Sequence, residues 1–164
     1  MNIGRIVILI SALLMAMNSF SQEAPKGKLI YCSYSQNGHA GLGKDYCALI
    51  ADEGKEPQIV VSLYNDCHYR EAVKKTFPVT AAEVEKLQQM LEKAQVYKLN
   101  GYHHDEALEG GTTYRIYQEY LSDGNVTKVD ADWFGHNIKP EAMSAYAMIE
   151  RFFDPWRKQV ETND

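Results

Sequence analysis

The densest group of metal-ligating residue types in the sequence is the run His-His-Asp-Glu at positions 103–106. Imidazole and carboxylate groups bind zinc or copper, and a zinc-bound water can carry out hydrolysis. His103, His104 and Glu106 are therefore candidate ligands of a zinc site. The sequence lacks the His-Glu-x-x-His spacing, however, and neighbouring side chains on a regular backbone point in different directions. The alternative interpretation is a solvated polar loop.

Other catalytic patterns are incomplete. No Gly-x-Ser-x-Gly sequence occurs, and Cys67 and His68 are only neighbours in sequence, which does not make them a catalytic dyad. The glycine-rich stretch at 38–43 lacks the Lys-Ser/Thr pair of a phosphate-binding loop, and no predicted helix follows it. The sequence therefore contains no complete set of residues for nucleophilic catalysis or phosphate binding.

A β-hairpin is predicted over residues 110–133. Asp123 and Gly124 suit the two central positions of a type I′ turn, where both residues need a positive φ. Counting outward from this turn separates the residues of the two strands into a mostly apolar set and a mostly polar set. The apolar set includes Ile116 and Trp133, and we expect it to face the core. A slip of one residue would mix the two faces, so the pattern specifies the register of the hairpin.

The polar face of this hairpin carries the candidate binding residues. Two pairs of unlike charges are expected directly across the strands, Arg115 with Asp132 and Glu119 with Lys128. Tyr117 lies on the same face, and tyrosine combines an apolar ring with a polar tip, as recognition surfaces often require. The predicted contact residues for a partner are Tyr117, Arg115, Asp130 and Asp132.

Three strand patterns precede the first predicted helix. They cover residues 28–35, 44–51 and 58–64, and the third is a near-continuous apolar run that is typical of a central strand. Residues 71–79 alternate well enough for a short extended segment. Residues 102–111 are polar and end in two glycines, which favours a loop.

Two amphipathic helices complete the predicted fold. Thr80 and Glu83 form a capping box at the start of the first helix. Pro140 suits the first turn of the second helix, and Asp154-Pro155 is expected to end it. The element order β-β-β-α-β-β-α predicts an α+β fold, in which an antiparallel sheet of about five strands has both helices packed on one face.

The three cysteines raise the question of a disulfide. Pairing the first two predicted strands around the 36–43 turn places Cys32 opposite Cys47, which makes these two the first choice for a bridge. A directly cross-strand disulfide is often strained, and Cys47–Cys67 is the alternative.

The first 21 residues have the pattern of a signal peptide. Arg5 precedes an apolar run of about a dozen residues, which is too short to span a bilayer, and Ser-Phe-Ser at 19–21 suits a cleavage site. The segment resembles export signals of Gram-negative bacteria, although an uncleaved membrane anchor is the alternative. We expect a flexible leader at 22–27, one α+β domain at 28–156 and a polar tail at 157–164. This organisation predicts a periplasmic or secreted protein with no membrane insertion after signal cleavage.

The charge of the chain limits the classes of partner. Without Arg5 the chain keeps 16 of its 17 basic residues against 22 acidic ones, so its formal charge is −6. Nucleic acids and anionic membranes require a positive protein surface and are excluded as partners. The sequence therefore predicts an exported non-enzymatic domain that binds a protein or glycan. The alternative is a metal-dependent hydrolase that uses the His-His-Asp-Glu run, with zinc as its cofactor.

Overall fold

The computed structural model describes residues 22–38, 44–63, 73–106 and 111–161. These residues form seven strands, two helices and a short 3₁₀ turn. The strands are β1 (Lys28–Asn37), β2 (Lys44–Ile50), β3 (Gln58–Leu63), β4 (Val73–Pro78), β5 (Tyr102–Asp105), β6 (Thr113–Ser122) and β7 (Asn125–Phe134). The helices are α1 (Ala81–Lys93) and α2 (Pro140–Glu161), and the 3₁₀ turn is Val96–Leu99.

The seven strands form one mixed sheet in the order β4-β3-β2-β1-β6-β7-β5. All neighbours are antiparallel except β5, which runs parallel to β7. The α+β class is confirmed, but the prediction of about five antiparallel strands is wrong. Residues 73–78 of the extended segment pair with β3 as β4, and the predicted loop contains β5. An edge strand such as β5 needs only one partner, so a short polar sequence is sufficient for it.

The predicted register of the β6–β7 hairpin is confirmed. Ser122 pairs with Asn125 beside the turn, and the regular pairing continues outward to Thr113 with Phe134. Asp123 and Gly124 have φ values of 51° and 75°, as a type I′ turn requires. The turn and the alternation of polar and apolar residues therefore specify the same pairing.

Helix α1 starts as the sequence predicts. The Glu83 amide donates to the Thr80 hydroxyl at 3.3 Å, and the Thr80 amide donates to the Glu83 carboxylate at 2.6 Å. Val84, Leu87 and Leu91 form its buried stripe. The reciprocal cap satisfies two of the backbone amides that a helix start leaves unpaired.

Helix α2 does not end at Asp154-Pro155 but continues to Glu161. The predicted helix end is therefore wrong, and residues 157–161 of the expected polar tail belong to the helix. Val160 is buried, and the Arg157 guanidinium approaches Glu161 at 2.9 Å and Glu150 at 3.2 Å. We attribute the continuation to these contacts, which oppose the loss of one helical hydrogen bond at proline.

Both helices cover the same face of the sheet and share one hydrophobic core. Tyr146 of α2 packs edge-to-face on Tyr34, Tyr114 and Trp133, with ring centroids 5.3, 4.9 and 6.0 Å away. Ile116 and Trp133 are fully buried in this core, on the side that the hairpin pattern predicts. In the described part of the chain, no helix combines the length and the apolar character that a membrane crossing needs.

The structure does not contain the predicted Cys32–Cys47 disulfide. Cys47 pairs with Tyr34, and Cys32 pairs with Leu49, because β1 continues two residues further than predicted, to Asn37, while β2 starts at Lys44 as predicted. Both cysteines are buried free thiols, and Cys67 of the alternative bridge lies outside the described residues. Burial raises the pKa of Cys32 and raises that of Cys47 to about 11.

Candidate functional site

The side of the sheet opposite the helices carries a row of polar and aromatic side chains, which we call the open face. It is formed by alternate residues of β1, β2, β6, β7 and β5, because successive side chains of a strand point to opposite faces. Its members in the central strands are Tyr31, Ser33, Ser35, Tyr46, Ala48, Arg115, Tyr117, Glu119, Lys128, Asp130 and Asp132. All four predicted contact residues, namely Tyr117, Arg115, Asp130 and Asp132, belong to this face.

A depression of about 350 Å³ lies near the middle of the open face. Ser33 and Ser35 of β1 are buried and form its floor. Its walls are Tyr31, Tyr46, Tyr117 and Arg115. Small residues in the central strand, with large residues around them, therefore produce a concave surface on a sheet that would otherwise be covered by side chains.

Two tyrosines meet across this surface. Ser33 of β1 pairs with Ala48 of β2. Tyr31 lies two residues before Ser33 on β1, and Tyr46 lies two residues before Ala48 on β2, so the two tyrosines are diagonal neighbours across this pair. Their hydroxyl groups are hydrogen-bonded to each other. Burial, followed by this hydrogen bond, raises the pKa of Tyr46. Ala48 is 0% exposed although neither α1 nor α2 covers this face, which indicates that the two rings shield it, and Ser33 keeps 8% exposure.

Tyr117 forms the opposite wall of the depression. Its ring lies edge-on to that of Tyr31, with centroids 5.8 Å apart. Its hydroxyl donates to Glu119 at 2.6 Å, and this hydrogen bond raises the pKa of Tyr117. Lys128 lies 3.5 Å from the same carboxylate, as the cross-strand pairing predicts. The tyrosine ring is thus held in place at both its edge and its hydroxyl.

Arg115 binds a different aspartate from the one expected. Its Nε and Nη2 donate to the two carboxylate oxygens of Asp130 at 2.9 and 2.7 Å. These hydrogen bonds raise the pKa of Arg115. The guanidinium carbon also lies 5.5 Å from the centre of the Tyr117 ring. Asp132, the direct partner in the hairpin register, is instead bound by His103 of β5.

The predicted metal ligands are divided between the two faces of β5. His103 pairs with Asp132 on the open face, whereas His104 lies beside Trp133 on the other side. His104 and Glu106 do come together, with Nε2 3.3 Å from Oε1. Within residues 22–38, 44–63, 73–106 and 111–161, no group of three or more His, Cys, Asp or Glu side chains is arranged to hold a metal.

Glu106 has a structural role near the end of β7. Its carboxylate accepts from the His136 amide at 2.6 Å and from the Asn137 side chain at 3.1 Å. These hydrogen bonds lower the pKa of Glu106. Gly135 is required beside it, because a Cβ there would lie 2.7 Å from the Glu106 Cβ, and its φ of 102° disfavours other residues. Glu106 therefore orders the connection from β7 to α2.

The sequence did not indicate the β1 and β2 half of the depression. The detectable signal is the alternation Tyr31, Ser33, Ser35 in β1, in which small polar residues interrupt a strand that is otherwise rich in large residues. The pairing counted from the sequence differs from the observed one by two residues, which leaves Tyr46 on the same face but opposite Ser33, whereas the structure pairs Tyr46 with Ser35.

A second depression, of about 370 Å³, lies at the end of the sheet near Asp105, Asp132 and Gly111. His104 also borders it, but His103 does not. It therefore does not unite the predicted zinc ligands. No protein-family model matches the chain, and no curated protein matches it.

Proposed function

We propose that this protein is an exported, non-enzymatic binding domain and that its partner, a protein or glycan, docks on the open face. The observation that carries the proposal is the tyrosine-walled depression above Ser33 and Ser35. A binding site of this kind is concave, combines aromatic surface with a few polar groups, and is built on a rigid scaffold.

The rigidity of the walls supports this proposal. Tyr117 is held by Glu119, Arg115 is held by Asp130, and Tyr31 is held by Tyr46. Side chains that are already ordered lose little conformational entropy when a partner binds, so more of the contact energy contributes to affinity. Export to the periplasm or the cell exterior is also part of the proposal, because residues 1–21 have the pattern of a signal peptide.

The edges of the sheet are less suitable for docking than its face. The edge strand β4 carries Lys74 and Lys75 and ends at Pro78, and lysine and proline are residues that discourage a further strand from pairing. The other edge strand, β5, has only four residues. A partner that adds a strand therefore finds a poor template at either edge.

Affinity capture from an envelope extract tests the proposed function. The immobilised protein is compared with Tyr117→Ala and with Met143→Ala, a matched control on helix α2 whose side chain is exposed. We expect the wild type and the control to retain the same protein or glycan and Tyr117→Ala to lose it. Equal retention by all three proteins, or none by the wild type, contradicts the proposal. Thermal unfolding of each variant checks that it is folded.

The alternative function is a metal-dependent hydrolase, and the approach of His104 to Glu106 is the observation that favours it. Metal analysis of the purified protein separates the two functions. Stoichiometric zinc that is lost in the double variant His103→Ala, His104→Ala would favour the hydrolase. We expect no stoichiometric zinc, because His103 and His104 lie on opposite faces of β5.

A further inference from the structure

We infer that the depression on the open face binds a neutral sugar unit of a glycan. This inference rests on the proposed function and narrows it to one class of partner. It follows from three properties of the site, namely the type of surface, the state of its charges and its size.

The surface combines aromatic rings with hydroxyl groups. Tyr31, Tyr46 and Tyr117 surround the hydroxyl-bearing residues Ser33 and Ser35. A pyranose ring presents C–H groups on its faces and hydroxyl groups around its edge. Aromatic rings match the C–H faces, and serine, tyrosine and guanidinium groups can hydrogen-bond to sugar hydroxyls.

The charged groups beside the depression already neutralise each other. The Arg115 guanidinium is bound to the Asp130 carboxylate, and Lys128 faces Glu119. An acidic ligand would have to compete with Asp130 for Arg115. A neutral ligand would instead use the guanidinium N–H groups that Asp130 does not occupy, because arginine has five such donors.

The same charges disfavour a protein partner. The buried centre of a protein–protein interface is depleted in lysine, glutamate and aspartate, whereas Asp130, Glu119 and Lys128 all lie beside this depression. Among the described residues, the exposed large hydrophobic side chains are Val126 and Met143, and neither lines the depression. The size of the depression is the third property. Its volume of about 350 Å³ is at the small end of the range for ligand cavities, which suits a single sugar unit.

A glycan array carrying neutral oligosaccharides and uronic-acid oligosaccharides tests this inference. We expect the full protein to bind neutral members and not acidic ones. Titration calorimetry with the strongest neutral oligosaccharide should then show affinity about tenfold or more weaker for Tyr117→Ala. Tyr117→Phe keeps the ring and should stay within about threefold of the wild type, and so should the control Met143→Ala.

Each outcome decides the inference. Binding only to acidic glycans, no binding to any glycan, or neutral binding that Tyr117→Ala leaves unchanged would overturn it. If no glycan binds but the extract yields a protein whose capture requires Tyr117, the sugar inference fails and the proposed function stands. If neither a glycan nor a protein depends on Tyr117, both fail. Tyr117→Phe removes only the hydroxyl that contacts Glu119 and keeps the ring. Affinity that Tyr117→Phe retains and Tyr117→Ala loses is therefore assigned to the ring.

Discussion

Arg115 binds Asp130, which lies diagonally across the hairpin, and not Asp132, its direct cross-strand neighbour. Asp132 is bound by His103 of β5, the strand that pairs with the outer side of β7. The edge strand thus supplies the partner of Asp132, the aspartate directly opposite Arg115 in the hairpin. As a result, the Arg115 guanidinium lies beside Tyr117, in the wall of the depression.

A double-mutant cycle measures this diagonal pairing. We expect the coupling free energy of unfolding between Arg115→Ala and Asp130→Ala to be about 0.5–1 kcal/mol, the upper range for exposed ion pairs, because the contact is bidentate. The matched cycle between Arg115→Ala and Asp132→Ala should give a smaller value. Denaturant unfolding supplies the four free energies of each cycle. A larger coupling with Asp132 would contradict the observed pairing.

The extension of α2 beyond Pro155 predicts that Val160 contributes to stability. Val160→Ala removes two buried methyl groups and should lower the free energy of unfolding by about 2 kcal/mol. Ser144→Ala, at an exposed position of the same helix, should change it by about 0.5 kcal/mol or less. Denaturant unfolding checks both variants. A negligible effect at Val160 would mean that the last turns of α2 are not packed on the domain.

The two buried cysteines predict a specific pattern of thiol reactivity. A Cys67→Ser variant leaves only Cys32 and Cys47, which are free and buried and have raised pKa values. The folded Cys67→Ser protein should therefore react slowly with Ellman's reagent, since the thiolate is the reactive form of a cysteine. In guanidinium chloride without a reductant, both thiols should titrate. If none titrates under those conditions, a Cys32–Cys47 disulfide exists after all.

Glu106 predicts an acid-dependent loss of stability. Its pKa is held below the ordinary value of 4.5 by the His136 amide and the Asn137 side chain. A carboxyl group whose pKa is lower in the folded state stabilises the fold above its unfolded-state pKa. That stabilisation is lost as pH falls through the folded-state pKa. The difference in Tm between the wild type and Glu106→Gln should therefore shrink as the pH falls below about 4.5.

Thermal unfolding between about pH 3 and pH 7 measures this effect, with Glu53→Gln in an exposed turn as the control. The control should follow the wild type over the whole range. A Tm difference for Glu106→Gln that grows as the pH falls below about 4.5 would have the wrong sign and would exclude the structural role of Glu106.

Local signals in the sequence were sufficient for part of the fold. The Asp123-Gly124 turn fixed the hairpin register, and Thr80 with Glu83 fixed the start of α1. Both features depend on residues within a few positions of each other, so chain-local chemistry determines them. The same register placed Tyr117 on the open face, next to Asp130.

Features that depend on distant partners were missed. Strand β5 is polar and short, and it becomes a strand only because β7 offers an unpaired edge. The last turns of α2 have the sequence of a polar tail, and their helical structure depends on the contact of Arg157 with Glu150 and on the burial of Val160 in the core. The depression needs the β1–β2 register, which the turn sequence between these strands does not specify as strongly as Asp-Gly does.

Chemical-shift mapping tests the central claim that the open face is the binding surface. The full protein, labelled with ¹⁵N, is titrated with the neutral oligosaccharide that binds most strongly on the array. We predict that the largest amide shifts cluster at Ser33, Ser35, Tyr46, Arg115 and Tyr117, while those of α2 stay unchanged. Shifts centred instead on the groove between the helices, around Met90 and Trp156, would contradict the account.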